Sequence, residues 1–234
     1  MMKILKIELY KLRHRPAFWI TCAALLALTI AFRFFIPPES STELLTGLTM
    51  FTMIFAISEA VGIARRDYLE QTTKNYLTAG YSRTAVFFGK MFAAIHASLI
   101  YFLIEAVVSV AMIFLNSFAI KLSVSQIAIT VGLQLVENIL IAIFSFSLGY
   151  MFIKSVWSII LSFSWVTFGP LVATLLCNQY KVPIDLGQYI LGAVSNDPKL
   201  FNTDTMIQEG VIIACTLIFM AISCIVSNQR EIKE

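Results

Sequence analysis

The sequence predicts an all-α integral membrane protein: six transmembrane helices, an N-terminal amphipathic interfacial helix, and both termini cytoplasmic. Composition is the first of three reasons. Of 234 residues, 59% are hydrophobic and 13% charged, and the mean hydropathy is +0.83. A water-soluble domain of this length has no use for so much apolar surface. Secondly, six apolar stretches match the roughly 20 residues a spanning helix needs. They fall at about 17–36, 44–64, 91–115, 127–153, 156–177 and 207–227. The runs are continuous rather than alternating, which excludes a β-barrel, and backbone in lipid must satisfy its own hydrogen bonds, which makes them helices. Thirdly, Lys and Arg divide 13 against 4 between the two sides of this topology. Lys3, Lys6, Lys11, Arg13, Arg15, Arg65, Arg66, Lys74, Arg83, Lys90, Lys154, Arg230 and Lys233 lie on the richer side. Arg33, Lys121, Lys181 and Lys199 lie on the other. The positive-inside rule makes the richer side cytoplasmic. The net charge of +3 follows from this bias and gives no reason to invoke nucleic acid.

The chain reads as one domain over residues 1–234. Residues 1–16, "MMKILKIELYKLRHRP", precede the first span. Met2, Leu5, Leu9 and Leu12 share a narrow helical face, with Lys3, Lys6 and Arg13 elsewhere. This fits an elbow helix in the inner interface, apolar side toward lipid and lysines toward anionic headgroups. A plain positive-inside anchor without a separate helix accounts for the same residues. Pro16 allows the turn into the membrane. The first apolar segment lacks a small-residue cleavage pattern and reads as a retained signal anchor. Cys22, Cys177, Cys215 and Cys224 lie in or beside spans at no metal-binding spacing, and read as packing residues.

Two connections are long: the inner segment 65–90 and the outer segment 178–206. Functional residues concentrate in such connections. In the outer one, Ile184, Tyr189, Ile190 and Val194 suit either a short amphipathic helix or an ordinary surface loop. The inner one contains "EQTTKNYLTAGYSRT", residues 70–84. Asp67 is a candidate cap for a helix from Tyr68 to about Leu77, with Leu69, Thr73, Tyr76 and Leu77 on one face. Gly80 is a natural helix stop, and Ser82 a cap for a helix running through Lys90 into the third span. A helix–turn–helix knuckle outside the bilayer is either a docking surface or a solvated connector.

This segment resembles the inner loop of type-2 ATP-binding-cassette exporter permeases, the ABC-2 family. Glu70 takes the family's acidic position, Thr72 its threonine, Lys74 its basic residue and Leu77 its leucine. Ala79 and Gly80 form the turn, Ser82 and Arg83 follow, and Gly89–Lys90 closes the run. Gln71 departs from the usual Gly, and the usual Pro of the turn is missing. The layout is similar too: a basic amphipathic start, six spans, and a long outer connection before the last. The resemblance implies that Glu70, Thr72, Lys74, Leu77, Gly80, Ser82 and Arg83 form a coupling helix seated on a separate cytoplasmic ATPase subunit. It also implies a second permease copy or a homologous permease. Compact members of the family suggest efflux of, or immunity to, antimicrobial peptides such as lantibiotics, at a bacterial cell membrane.

No Walker motif occurs; Gly89–Lys90 is followed by Met91 and lacks the upstream glycine. The chain is therefore expected to hold no cofactor of its own and not to be an enzyme, with ATP and Mg in the partner. His14 belongs to the basic start, and His96 reads as a hydrogen-bonding or interfacial residue rather than a ligand. Three carboxylates fall inside spans, Glu59, Glu105 and Glu137, with no Lys or Arg expected at comparable depth. They should not face lipid. Thr130, Gln134, Glu137, Asn138 and Ser145 lie along one face of the fourth span. Glu59, Glu105, Gln134, Glu137 and Asn138 are thus either a polar substrate path or buried carboxyls and amides joining helices. Ser155, Ser158 and Ser162 on the fifth span suit close helix packing. The two open functional readings are a transporter permease and a non-transporting membrane sensor or scaffold that docks a cytoplasmic partner.

Overall fold

The computed structural model describes residues 2–35, 50–70, 72–115, 124–152, 155–182, 185–191 and 203–229. Among them every regular element is helical. Helix α1 (Met2–Arg13) meets α2 (Pro16–Phe35) at a 65° bend. Pro16 opens α2, where a missing N–H costs nothing and its fixed φ suits the first turn. There follow α3 (Met50–Glu70), α4 (Thr72–Thr78), α5 (Arg83–Leu115), α6 (Val124–Met151), α7 (Ser155–Gln179), a 3₁₀ turn (Leu186–Tyr189) and α8 (Thr203–Gln229).

Among the described residues, four helical segments are by themselves long and apolar enough to cross a membrane: Arg83–Ala111, Ala128–Met151, Val156–Gln179 and Met206–Gln229. The bent α1–α2 pair makes a fifth if it counts as one span. Of the expected second span, α3 supplies residues 50–64, with Glu59 as the one charged residue among them. Residues 44–49 of that span lie outside the described residues.

The centre of the bundle is α5 and α6. About half of each spanning window is buried, 50% and 56%, against 11% for α7 and 17% for α8. α3 packs on both central helices, α2 on α5, and α8 on α6. Phe18 and Leu25 of α2, Ala60 and Ala64 of α3, Phe87 and Tyr101 of α5, and Phe146 and Tyr150 of α6 share one buried cluster. The rings of Phe87, Phe146 and Tyr150 meet pairwise at 5.0–5.3 Å, the spacing of offset and edge-on aromatic pairs. Small polar side chains stitch the rest. Ser223 Oγ donates to the Ser147 carbonyl at 3.0 Å, joining α8 to α6. Ser158 Oγ donates to the Leu148 carbonyl at 3.3 Å, joining α7 to α6. Ser158 and Ser162 are both fully buried, as the packing reading of that face requires; the side chain of Ser155 lies outside the described residues. Of the four cysteines, Cys22 and Cys177 are buried, while Cys215 is exposed and Cys224 half-buried.

After α7 the chain turns at Lys181, whose φ is 53°. Val182 N–H returns to the Cys177 carbonyl at 2.9 Å, so this helix ends in the pattern usually built on glycine. Asp185 then accepts hydrogen bonds from Gly187 N–H (2.9 Å) and the Thr174 hydroxyl (2.8 Å), tying the 3₁₀ turn back onto α7. The connection after α7 is thus tied down where it is described, and its short helix is a 3₁₀ turn. Ile184 and Val194 lie outside the described residues.

Close approach of α3 and α6 rests on Gly149. A Cβ there would sit 2.8 Å from the Ala64 Cβ and 3.2 Å from the Val61 Cα. We expect Gly149→Val to push the two helices apart and cost about 1–3 kcal/mol. A lower unfolding midpoint of the purified chain in detergent, with Gly132→Val unchanged as the control, checks this; no atom comes within 4 Å of a Cβ at Gly132.

Candidate functional site

The polar knuckle between α3 and α5 is built from two capping motifs. Gly80 has φ 82°, the left-handed conformation that glycine adopts without a Cβ penalty. Tyr81 N–H donates to the Tyr76 carbonyl at 3.1 Å and Gly80 N–H to the Leu77 carbonyl at 3.0 Å. These two bonds satisfy the last carbonyls of α4 in the Schellman arrangement. Its usual side-chain contact is present as the edge-on pair of Tyr76 and Tyr81, 6.4 Å between centroids. Ser82 then caps α5: its Oγ accepts from Ala85 N–H at 3.2 Å. The Gly stop and the Ser cap expected from the sequence are both there.

The start of the knuckle differs from expectation. Asp67 does not cap a new helix, because α3 runs unbroken through it to Glu70 and α4 begins at Thr72. Tyr76 is buried and Leu77 half-buried. The side chains of Leu69, Glu70, Thr72, Thr73 and Lys74 lie outside the described residues, as does Gln71 entirely. Arg83 reaches across to α8. Its guanidinium donates to the Asn228 carbonyl at 2.9 Å, and Thr84 stands 3.4 Å from the Asn228 side chain. A cation on one of the last carbonyls of a helix also suits the negative end of its dipole.

Tyr76 is the joint between knuckle and elbow. Its hydroxyl donates to Glu8 Oε1 at 2.6 Å. Lys11 Nζ donates to the same carboxylate oxygen and to the Tyr76 hydroxyl, both at 3.0 Å, and lies 5.1 Å over the ring. Glu8 is 5% exposed and Tyr76 7%. Burial, and then the bond to Glu8, push the Tyr76 phenol up to about 12, so it is a donor at every physiological pH. The elbow helix accordingly buries Ile4, Glu8 and Leu12. This corrects the expected apolar face: Leu12 is buried in protein, Leu5 and Leu9 are half-buried, and Met2 is exposed. Ile4 lies so near Gly89 that a Cβ there would stand 2.7 Å from its Cγ2. The glycine of the Gly89–Lys90 pair is thus where α1 crosses α5, and Lys90 beside it is fully buried.

The intramembrane acids are answered separately. Glu59 pairs with Arg15 at 3.0 Å and Arg66 at 3.4 Å, which corrects the expectation that no cation lies at its depth. The 65° bend brings Arg15 alongside α3, and Arg66 follows Glu59 by two turns. Glu105 is fully buried and accepts from the Thr52 backbone N–H at 3.0 Å and from the Thr52 hydroxyl. A carboxylate on a first-turn N–H satisfies a donor with no intrahelical partner and suits the positive helix end. Thr52 and Glu59 are two turns apart on α3, about 10 Å, so the two carboxylates do not share a site. On α6, Thr130, Gln134, Glu137, Asn138 and Ser145 are all buried, as that polar face requires. Asn138 Nδ2 donates to the Ser98 carbonyl at 3.1 Å and Ser98 Oγ to the Asn138 carbonyl at 3.3 Å, a reciprocal clamp between α5 and α6. His14 is exposed and bonds the Tyr10 carbonyl through Nδ1 at 2.9 Å.

Sequence reasoning passed over Glu8, Lys11 and Tyr76 as a set, and Arg15, Thr52, Ser98 and Asn228 as partners. One signal was available. Glu8 is the lone acid of α1 and lies midway between Ile4 and Leu12, four residues from each. An acid on the apolar side of a basic helix needs a donor from elsewhere.

Long apolar helices that bury polar side chains between them, with a capped polar knuckle between two of them, define a multi-pass membrane protein. The family model of the ABC-2 family transporter protein matches residues 4–169, from the elbow helix into α7, and the chain belongs to that family. No curated protein matches it significantly. Permease domains of this family are in general non-catalytic membrane components that work with an ABC ATPase.

Two expectations follow. Tyr76→Phe leaves Glu8 with Lys11 alone and should loosen α1 by about 1–3 kcal/mol, read as faster proteolysis within residues 2–13. The phenol titrates higher folded than unfolded, so its contribution is complete below pH 10.0 and fades as pH rises from there toward about 12. Secondly, Glu105→Ala should lower the yield of folded protein in the membrane, because Thr52 loses its acceptor. Glu105→Gln, whose amide oxygen accepts from the same donors, should restore it; equal yields of Ala and Gln variants would rule out this role.

Proposed function

We propose that this chain is the transmembrane permease subunit of an ABC exporter in the bacterial cell membrane, moving its substrate at the expense of ATP hydrolysed by a separate cytoplasmic subunit. The observation that carries the reading is the knuckle itself: the family's motif positions coincide with a Schellman stop at Gly80 and a capped start at Ser82. In this reading the chain has six spans, with α3 completing the set, and both termini are cytoplasmic. α4 and Arg83 face the ATPase, ATP and Mg reside there, and two permeases complete the translocation path. Glu70, Thr72, Lys74, Leu77, Gly80, Ser82 and Arg83 carry the coupling.

For the substrate we propose a cationic amphiphile such as an antimicrobial peptide. Support comes from the compact chain and from the acidic and amide groups Glu137, Gln134 and Asn138 buried along α6. Glu59 and Glu105 are less suited to that role, since Arg15 and Arg66 answer the first and Thr52 the second.

The experiment is a mild-detergent pull-down from the native membrane with mass spectrometry of the companions. An ATPase bearing a Walker motif should co-purify with the wild type and with Arg83→Lys, which can still donate to Asn228. It should be lost with Arg83→Glu. If no ATPase is recovered under conditions that preserve other complexes, the permease reading fails and the knuckle serves as a scaffold for another partner.

A further inference from the structure

Helix α1 has two faces of different chemistry, and only one is used inside the protein. Ile4, Glu8 and Leu12 are buried, with Lys11 drawn in beside Glu8. On the far side Lys3, Lys6, Tyr10 and Arg13 are all exposed, and at helical spacing they fall within an arc of about 80°. The exposed charges of α1 have one sign: its lone acid, Glu8, is turned inward and paired with Lys11. Exposed Met2 (65%) and Ile7 (39%) flank the stripe, and Tyr10 (64%) stands in its middle. Just past the bend, Trp19 is 54% exposed, with its indole N–H held on the Arg13 carbonyl at 2.7 Å. Cations interleaved with exposed aromatic and apolar side chains are the composition of a bilayer interface rich in phosphate headgroups.

We propose that Lys3, Lys6 and Arg13 bind the phosphates of anionic phospholipid, and that this occupancy steadies α4 through the Glu8–Lys11–Tyr76 joint. The argument is charge complementarity at a defined depth. The stripe lies beside the first apolar helix, α2, where headgroups begin, and a cluster of Lys and Arg there attracts anionic lipid. α1 is one 12-residue helix set at 65° to α2. What holds its outer face holds its inner face, and the inner face grips Tyr76. The inference deepens the reading of α4 as the coupling element. It rests on that reading only for its consequence in transport, namely that headgroup charge would tune coupling to the ATPase.

The test needs no ATPase, so its failure is separate from failure of the permease reading. The full chain is placed in nanodiscs of phosphatidylcholine, or of an equal mixture of phosphatidylcholine and phosphatidylglycerol, and amide hydrogen exchange is followed. In the anionic discs, exchange should slow in residues 2–13 and 72–81 by about fivefold or more, the share of a single Lys or Arg near an anionic surface. Free inorganic phosphate added to the neutral discs should not reproduce it. The variant Lys3→Gln/Lys6→Gln/Arg13→Gln should lose the lipid response in both segments. Tyr76→Phe should keep the response in 2–13 and lose it in 72–81. Equal exchange of the wild type in the two lipids overturns the proposal and leaves the stripe to a protein partner. A triple variant that still responds like the wild type overturns it too.

Discussion

A carboxylate withdrawn from water has to be met by donors, and in this chain that requirement joins three pairs of helices. Removing the donors from a buried charge costs several kcal/mol, on the order of a domain's whole stability margin. Glu8 fastens α1 to α4 through Tyr76 and Lys11. Glu59 fastens the start of α2 to α3 through Arg15. Glu105 fastens α5 to the first turn of α3 through Thr52. Apolar packing is plentiful in such a composition and says little about partner choice, since lipid tails are as apolar as Leu. The acids supply direction, because a hydrogen bond is satisfied in one register only.

The knuckle is more firmly held than its length suggests. α4 has 7 residues, too few to be stable alone in water. Its shape comes from outside: Tyr76 on α1, the Gly80 stop, the Ser82 cap and the Arg83 grip on α8. A displacement applied at α4 therefore has routes into α1 and α8 as well as into α3 and α5. Arg83 stands at the end of this knuckle, and its guanidinium closes the end of α8.

The buried polar column of α6 is read first through its partners. Asn138 and Ser98 clamp each other's backbones, and Ser147 and Leu148 accept hydroxyls from α8 and α7. These contacts make α6 the hub on which neighbouring helices are registered, in keeping with the enrichment of small polar residues at helix interfaces in membranes. Any substrate role for Glu137 and Gln134 is superposed on that hub.

Hydropathy and charge bias were enough to read an all-helical membrane chain, its long apolar helices, and the capped turn at Gly80–Ser82. These depend on composition along the chain and on backbone rules that act within a few residues. The inward burial of Thr130, Gln134, Glu137 and Asn138 was likewise readable, because lipid offers polar groups no partner. The face by which α1 docks was not readable. Leu5 and Leu9 look as apolar as Ile4 and Leu12, and the choice fell to Glu8, whose donor Tyr76 lies 68 residues away. The pairing of Glu59 with Arg15 was hidden for the same reason, being created by a bend that sets residues 44 apart side by side. Asp67 looked like a cap and is an ordinary helical residue, because α3 continues through it rather than ending. Periodicity fixes what a helix is; which of its faces is inside depends on partners that only tertiary folding brings within hydrogen-bond reach.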